Sequence, residues 1–471
     1  KKASKADYKA GQNVTVSKTL TLYAVYKKLP YTVTFNNNNG TSTSKIYTSL
    51  TMYASKNQKV TLPDVPKVKG YTNLGWTTEK GETEPEYSAG DTVKITKATQ
   101  FYAVRRKSNY YTVSYYLGNG STNAAYQKLT QTVEEGTVVT FAKVPARTGY
   151  VNQGWSSKKN SEKATAKAKC TVNKNITLYA VQKKAVQLTF HRCDGSTWQK
   201  TTLAKGSSYS LPGVRDAEGY TFMGWSTKPM QSVSPQYEAE EKITVNGNVD
   251  LYAVVFNRTT ETDLTEDQLP QVDIYKYKQV IFVGDSRTEF MENVLTGMGE
   301  SATKNVKFVC SAGKGLDWFT TTGWAQLYSI VQHDSNSILS KKTAVIFNFG
   351  VNDLSKSADY AEYYNWIAPQ LKSKGCELYF MSVNPVNRLM LPNAGRADRS
   401  EAAVRSFNQY MKANLSSAYT YIDMYSYLKS TGYSFASDKY GSGTIDDGLH
   451  YTAKTYKRIY AKCMDSLRVP A

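Results

Sequence analysis

The sequence predicts a multidomain chain: an array of small β-rich repeats followed by a three-layer α/β/α sandwich on a five-stranded parallel sheet. Three observations predict it. A Gly-Tyr-x-x-x-Gly-Trp pattern recurs three times in the first half, among alternating runs of β-branched and aromatic residues. After Lys278 the alternation gives way to continuous apolar runs separated by helical patterns. The charge divides near the same place. Residues 261–471 carry 23 Lys and Arg against 22 Asp and Glu, net +1, whereas residues 1–260 carry 36 against 17, net +19. A length of 471 residues also calls for more than one domain.

The repeats come first. "GYTNLGW" (Gly70–Trp76), "GYVNQGW" (Gly149–Trp155) and "GYTFMGW" (Gly219–Trp225) share one pattern, and each is followed by Tyr-Ala-Val after an apolar residue, at Phe101, Leu178 and Leu251. A fixed recurrence of this kind marks an array of similar units. Each unit opens with an alternating run, "YTVTF" at Tyr31, "YTVSYY" at Tyr111 and "VQLTF" at Val186, the signature of half-buried strands. The Trp of each motif and the Tyr of each "YAV" are expected as core anchors, ahead of any role in stacking on carbohydrate. A fourth "LYAV" at Leu22 has no Gly-Trp element before it, and the chain opens without Met, so the sequence reads as a piece of a longer protein.

These motifs resemble the Listeria–Bacteroides repeat, the family of the internalin B-repeats, over about residues 1–257. The hallmark phenylalanine is matched at Phe222 only, with Asn73 and Asn152 in the other copies. The resemblance implies β-grasp-like units in secreted or bacterial cell-surface proteins, used as stalk or adhesion modules. The +19 is read first as a solvated, self-repelling surface and second as attachment to anionic cell-wall polymers. Nucleic acid ranks below both, because no helix-turn-helix, zinc or RNA-binding motif accompanies the charge. The expected organisation is 1–29 the truncated end of a repeat, 30–107, 108–184 and 185–257 whole repeats, 258–274 a polar linker, and 275–471 the second fold.

In that second fold, "QVIFVG" (Gln279), "VKFVCSAG" (Val306), "TAVIFNFG" (Thr343), "CELYFMSV" (Cys376) and "YTYIDMY" (Tyr419) suit strands buried on both faces of a parallel sheet. Helical patterns lie between them, including those from Glu401 and Ala453, which gives the α/β/α sandwich. In such sheets the ligand crevice lies at the carboxyl ends of the strands. Those ends carry Gly284-Asp285-Ser286, the glycines Gly313 and Gly315, Gly350-Val351-Asn352-Asp353 and, before the last helix, Asp447-Gly448-Leu449-His450. A serine nucleophile needs a base to take its proton, a carboxylate to orient that base, and donors for the oxyanion. Ser286, His450 and Asp447 fit the first three roles. The Ser286 amide, a glycine N–H and the Asn352 amide fit the last. The local alternative is a capping box over Ser286–Glu289.

The four ordered blocks resemble the SGNH, or GDSL-like, hydrolases from about Tyr275 to Ala471. The resemblance implies Ser286, Asp447 and His450 as catalytic residues and an oxyanion hole of Ser286, Asn352 and Gly315, with Gly313 as the alternative glycine. Arg287 departs from the usual Leu or Ile; it is read as pairing with Glu289 or as favouring an anionic substrate. Trp318, with Tyr363 and Trp366, is a further substrate-binding candidate. Asp446 stands one residue off the expected spacing, Asp285 and Asp353 are read as structural, Asp423 as ordering a loop, His333 as a helix-end residue and His191 as part of a repeat strand.

The function implied is an extracellular serine esterase, releasing short acyl groups such as acetyl from a carbohydrate or cell-surface glycan and carried on a basic repeat stalk. A histidine base implies activity rising through about pH 6 to 7. Alternatives are a lipase, thioesterase or acyltransferase of the same fold, or a non-catalytic surface adhesin. No metal or other cofactor is required, and only three histidines are present. No run of 18 apolar residues marks a membrane span. The five scattered cysteines include no C-x-x-C, and Cys170–Cys193 is the one pairing left open.

Overall fold

The computed structural model describes residues 5–26, 31–38, 44–333, 341–391, 398–436 and 446–468. They fall into two compact units, Lys1–Lys183 and Lys184–Ala471.

In the first unit the alternating run becomes the strand Tyr31–Asn37, which pairs in parallel with Thr99–Lys107. The Gly-Trp strand Tyr71–Thr77 pairs antiparallel with Thr99–Lys107 on its other side. A one-turn helix, Lys45–Thr48, adds Tyr47 to the core, giving a small β-grasp-like sheet and helix. The tryptophan anchors each copy in the same way. The Trp76, Trp155 and Trp225 indole N–H groups donate to the carbonyls of Pro63, Ala142 and Pro212, each thirteen residues back, at 2.7, 2.6 and 2.8 Å. The preceding glycine is steric: at Gly224, with φ +142°, an added Cβ would collide with the Tyr237 carbonyl.

The tyrosines of "YAV" are a correction. Tyr102, Tyr179 and Tyr252 are only half-buried, while Phe101, Leu178 and Leu251 are in the cores. Strand alternation puts a tyrosine on the opposite face from the apolar residue before it. Leu22–Val25 forms no strand, and Leu22 and Tyr23 are exposed, since residues 5–26 hold neither of the two partners this strand has in a whole repeat. All five cysteines are free thiols, so the Cys170–Cys193 bridge is not made.

The second unit contains the third repeat, in which Val249–Asn257 pairs antiparallel with Tyr220–Ser226 and in parallel with residues 188–191. Its outward residues Met223, Val254 and Phe256 join the same buried cluster as Phe282 and Met464 of the α/β/α fold. The polar segment after Asn257 is no free linker. Leu269 and Val272 are buried, and the buried Glu261 carboxylate is bonded by Thr455 and Arg458.

The α/β/α fold has five strands, β1 Tyr277–Gly284, β2 Val306–Cys310, β3 Lys342–Asn348, β4 Cys376–Met381 and β5 Tyr419–Ile422. All pairings are parallel, in the order 2-1-3-4-5. Alternate strand residues feed two cores. Ile281 and Val283 face helices α2 Trp324–His333, α3 Ser357–Ser373 and α4 Glu401–Asn414. Val280 and Phe282 face α1 Ser286–Thr296, α5 Met424–Thr431 and α6 Ala453–Ser466. The strand order reverses between β1 and β3, so a crevice is expected beyond their carboxyl ends.

Candidate active site

The chain leaves β1 at Gly284 and enters α1 two residues later. Asp285, not Ser286, caps this helix: its carboxylate accepts from the Arg287 N–H at 3.0 Å. The capping box at Ser286 does not form, because Glu289 accepts instead from the Ala312 N–H at 2.6 Å. Burial pushes the Asp285 carboxyl up to about 6, against the pull of the Arg287 guanidinium. Relieved of capping, the Ser286 hydroxyl lies 2.9 Å from His450 Nε2.

His450 Nδ1 lies 2.6 Å from Asp447 Oδ2, and the other Asp447 oxygen accepts from the N–H groups of Leu449 and His450 at 2.9 and 2.8 Å. The i, i+3 turn therefore fixes carboxylate and imidazole together. Gly448 makes the turn possible, with φ +65° and no room for a Cβ against the Asn387 carbonyl. Phe290, one helical turn beyond Ser286, stacks on the His450 ring with centroids 4.3 Å apart.

Arg287 is a correction. It is 3% exposed, and its guanidinium donates to the carbonyls of Leu449, Asn384 and Pro385 at 3.0, 2.9 and 2.9 Å. A guanidinium already engaged with three buried carbonyls is not free for an anionic substrate, and it does not pair with Glu289. It ties α1 to the turn that carries His450.

At the end of β3, the Asn352 amide donates to the Lys314 carbonyl at 2.7 Å, and its oxygen accepts from Arg399. These two contacts fix which way the amide faces. Asp353 accepts from the Leu316 N–H at 2.9 Å and from the Tyr360 hydroxyl at 2.7 Å, so it holds the glycine loop. A Cβ on Gly315 would collide with that carboxylate, whereas one on Gly313, at φ +71°, would meet open space. Glycine is thus required at 315 by the Asp353 side chain and at 313 by the left-handed backbone.

Trp318 is half-buried and packs on Phe349, at 6.1 Å between centroids, and over Gly323. Tyr363 and Trp366 lie together on α3, 5.5 Å apart. Asp423 caps α5 through the Ser426 N–H. His191 stacks on Tyr252 and contacts Asp250, and His333 ends α2. Asp446 accepts from the Gly448 N–H at 2.9 Å and pairs with Arg258. The contacts of Phe290, Asn387, Arg399 and Arg258 had no signal in the sequence, because each joins segments far apart in the chain. The Gly/Ser-rich stretch 437–445 lies outside the described residues.

A parallel α/β/α sheet with a hydroxyl, an imidazole and a carboxylate in contact at its carboxyl edge defines a class, the serine ester hydrolases. The comparisons with known proteins agree. The GDSL-like Lipase/Acylhydrolase family matches residues 280–462, and the Listeria–Bacteroides repeat domain matches 31–104, 111–181 and 187–254. The chain thus carries three Listeria–Bacteroides repeats and a GDSL-like lipase/acylhydrolase domain.

Two proteins of Evansella cellulosilytica, provisionally named a Gly-rich membrane protein and a membrane protein, are 28% and 26% identical over 237 and 235 residues. Each alignment covers 50% of this chain but only 26% and 33% of those relatives. Among solved structures, a provisionally named SGNH hydrolase of Slackia heliotrinireducens aligns with 41% of this chain and all of its own, at 13% identity and TM-score 0.30. An acetyl xylan esterase aligns with 40% of this chain and 99% of its own, at 10% identity and TM-score 0.28. Likeness at that level does not bear on the substrate.

Proposed function

We propose that this chain is an extracellular serine esterase that removes short acyl groups, acetyl first among them, from a carbohydrate or cell-surface glycan. The observation that carries the catalytic part is the unbroken contact from Ser286 Oγ through His450 to Asp447, at 2.9 and 2.6 Å. In this reading Ser286 Oγ attacks the ester carbonyl and its proton passes to His450 Nε2. Asp447 holds the Nδ1–H tautomer and stabilises the imidazolium. The Ser286 and Gly315 N–H groups and the Asn352 amide receive the oxyanion. The tetrahedral intermediate expels the alcohol, protonated by His450, and water then releases the acyl group by the same steps.

The short acyl group is supported by the absence of a long apolar, lid-like run in the sequence. The surface setting is supported by the repeats and by the names of the Evansella relatives. Among the described residues, no helix is long and apolar enough to cross a membrane.

The test is hydrolysis of p-nitrophenyl esters of increasing acyl length, followed by acetate release from acetylated polysaccharides. Ser286→Ala is expected to lose roughly 10⁴-fold or more in kcat. Asn352→Ala is expected to lose roughly 10²–10³ in kcat with little change in KM. Equal turnover by Ser286→Ala and wild type would remove the reading. A preference for long chains would turn it to a lipase, and absence of turnover on every ester to an adhesin.

A further inference from the structure

The turn that holds Asp447 and His450 is gripped from outside the hydrolase fold. Arg258 is the first residue after the last strand of the third repeat, where its N–H donates to the Gly219 carbonyl at 2.9 Å. Its side chain is pinned by that repeat, through Thr221 Oγ1 at 2.9 Å and Asp216 Oδ2 at 2.8 Å. The same guanidinium nitrogen that meets Asp216 reaches Asp446, the residue immediately before Asp447. Asp446 then accepts the Gly448 N–H through its other oxygen.

A second arm closes the circuit. Asp216 Oδ1 accepts from the Asn387 amide at 2.7 Å, and the Asn387 N–H donates to the Gly448 carbonyl at 2.8 Å. Both peptide groups of Gly448, in the middle of the Asp447–His450 turn, are thereby tied to Asp216 of the third repeat. The two carboxylates are 1% and 8% exposed and the guanidinium 17%, so the network is shielded from water. Burial and the facing Asp446 push the Asp216 carboxyl up to about 8, against the pull of the Phe222 N–H and the Arg258 guanidinium.

We propose that Arg258 is a positioning residue: it lends the third repeat to the esterase, holding Asp446 and Gly448 so that His450 stays within reach of Ser286. This rests on the reading of Ser286, His450 and Asp447 given above. The repeat is then a structural member of the site as well as part of a stalk.

The test uses the full chain and short-ester kinetics, with thermal unfolding measured on each variant. Arg258→Met is expected to lower kcat roughly 10- to 100-fold, as misplacement of a catalytic group by about 1 Å does. KM should stay within about threefold, because the repeat touches no substrate in this scheme. Arg258→Lys, which keeps the charge, should recover part of the loss.

Asp446→Asn keeps an oxygen for the Gly448 N–H and turns the side facing Arg258 into an NH2, removing both the charge and the acceptor there, so it decides the matter if Arg258→Met does not fold. A fall in kcat at near-constant KM in Asp446→Asn supports the proposal. Wild-type kcat in Asp446→Asn overturns it, as does a loss in Arg258→Met that tracks unfolding and is not eased by lysine. Ser286→Ala is run beside them. If that variant stays active, the reading of the site itself fails; if it is dead while both network variants keep wild-type kcat, only the positioning role fails.

Discussion

The first and third repeats share one strand framework and differ in what their outer faces carry. In the Gly-Trp strand, Leu74 of the first repeat corresponds to Met223 of the third. In the last strand, Arg106 and Ser108 correspond to Phe256 and Arg258. Three residues before the Gly-Tyr pair, Lys67 corresponds to Asp216. In the first repeat this face carries a charge: Arg106 pairs with Glu135 at 2.6 Å and keeps 40% of its side chain exposed. In the third, Met223 and Phe256 are buried with the hydrolase core, and Phe256 lies against Gly432, which has no room for a Cβ. The difference teaches that a repeat unit is specified by its inward residues, and its outward ones decide whether it remains a module or becomes part of its neighbour.

Exchanging one outward residue gives the largest expected effect. Phe256→Arg would place a second guanidinium in the cluster of Met223, Val254 and Leu428, where the neighbouring Glu261 carboxylate is already taken by Thr455 and Arg458. The loss of stability is expected to exceed about 4 kcal/mol, the range reserved for unpaired buried charge. Esterase activity should go with it. The reciprocal Arg106→Phe should change stability by no more than about 0.5 kcal/mol, as surface changes do. Thermal unfolding and p-nitrophenyl acetate turnover on the full chain check both. Equal effects from the two exchanges would break the comparison.

A smaller loss is expected at Lys429. This buried side chain on α5 meets Glu238 of the third repeat at 2.9 Å, Glu401 of α4 at 2.6 Å and the Met223 carbonyl at 2.9 Å. Lys429→Met leaves two buried carboxylates facing each other, and about 3–5 kcal/mol should be lost at neutral pH. Burial already raises the Glu238 carboxyl above its ordinary range. A carboxyl raised in the folded state binds its proton more readily there than in the unfolded chain. Its stability contribution is therefore full below the ordinary carboxylate range and falls as pH rises above it. Without the Lys429 charge that pulls the Glu238 carboxyl down, the variant should accordingly regain more stability than wild type between about pH 7 and pH 5. Urea midpoints at the two pH values are the measurement, and a pH-independent deficit would count against the buried-carboxylate account.

Much of this was legible in the sequence because it depends on local pattern. Periodicity exposed the repeats, and the continuous runs at Gln279, Val306, Thr343, Cys376 and Tyr419 gave the five parallel strands. The contact among Ser286, Asp447 and His450 was expected from one motif at a strand end, another before the last helix, and the resemblance of the ordered blocks to the SGNH hydrolases. What escaped depends on partners distant in the chain. Arg287 looked available to substrate because nothing near it in sequence reveals the Leu449, Asn384 and Pro385 carbonyls. The polar segment after Asn257 looked like a linker because Leu269 and Val272 are too few to show a periodicity. Asp446 was weighed only as a rival to Asp447, since Arg258 lies 188 residues before it.

The smallest expected effect concerns the inward side of the same strands. Where the hallmark phenylalanine is missing, its cross-strand neighbour has changed with it. Asn73 Oδ1 accepts from Arg105 Nε at 2.8 Å, Asn152 Oδ1 accepts from Gln182 at 2.7 Å, and Phe222 instead sits opposite Val255. A polar pair and an apolar pair are two self-consistent solutions, and a mixed pair leaves a donor or acceptor unmatched. Asn73→Phe alone removes an acceptor from Arg105 and a donor from the Val65 carbonyl, so about 1–3 kcal/mol should be lost. Arg105→Val alone also strips the Tyr47 hydroxyl and the Pro66 carbonyl of their partner and should cost about the same. The double variant, which recreates the pair of the third repeat, should lose about 0.5–2 kcal/mol less than the sum of the two. Hydrogen exchange of the strand amides in Thr99–Lys107 reads this opening locally, without involving the hydrolase. Strict additivity would mean that the paired changes are coincidental and that each position tolerates its residue independently.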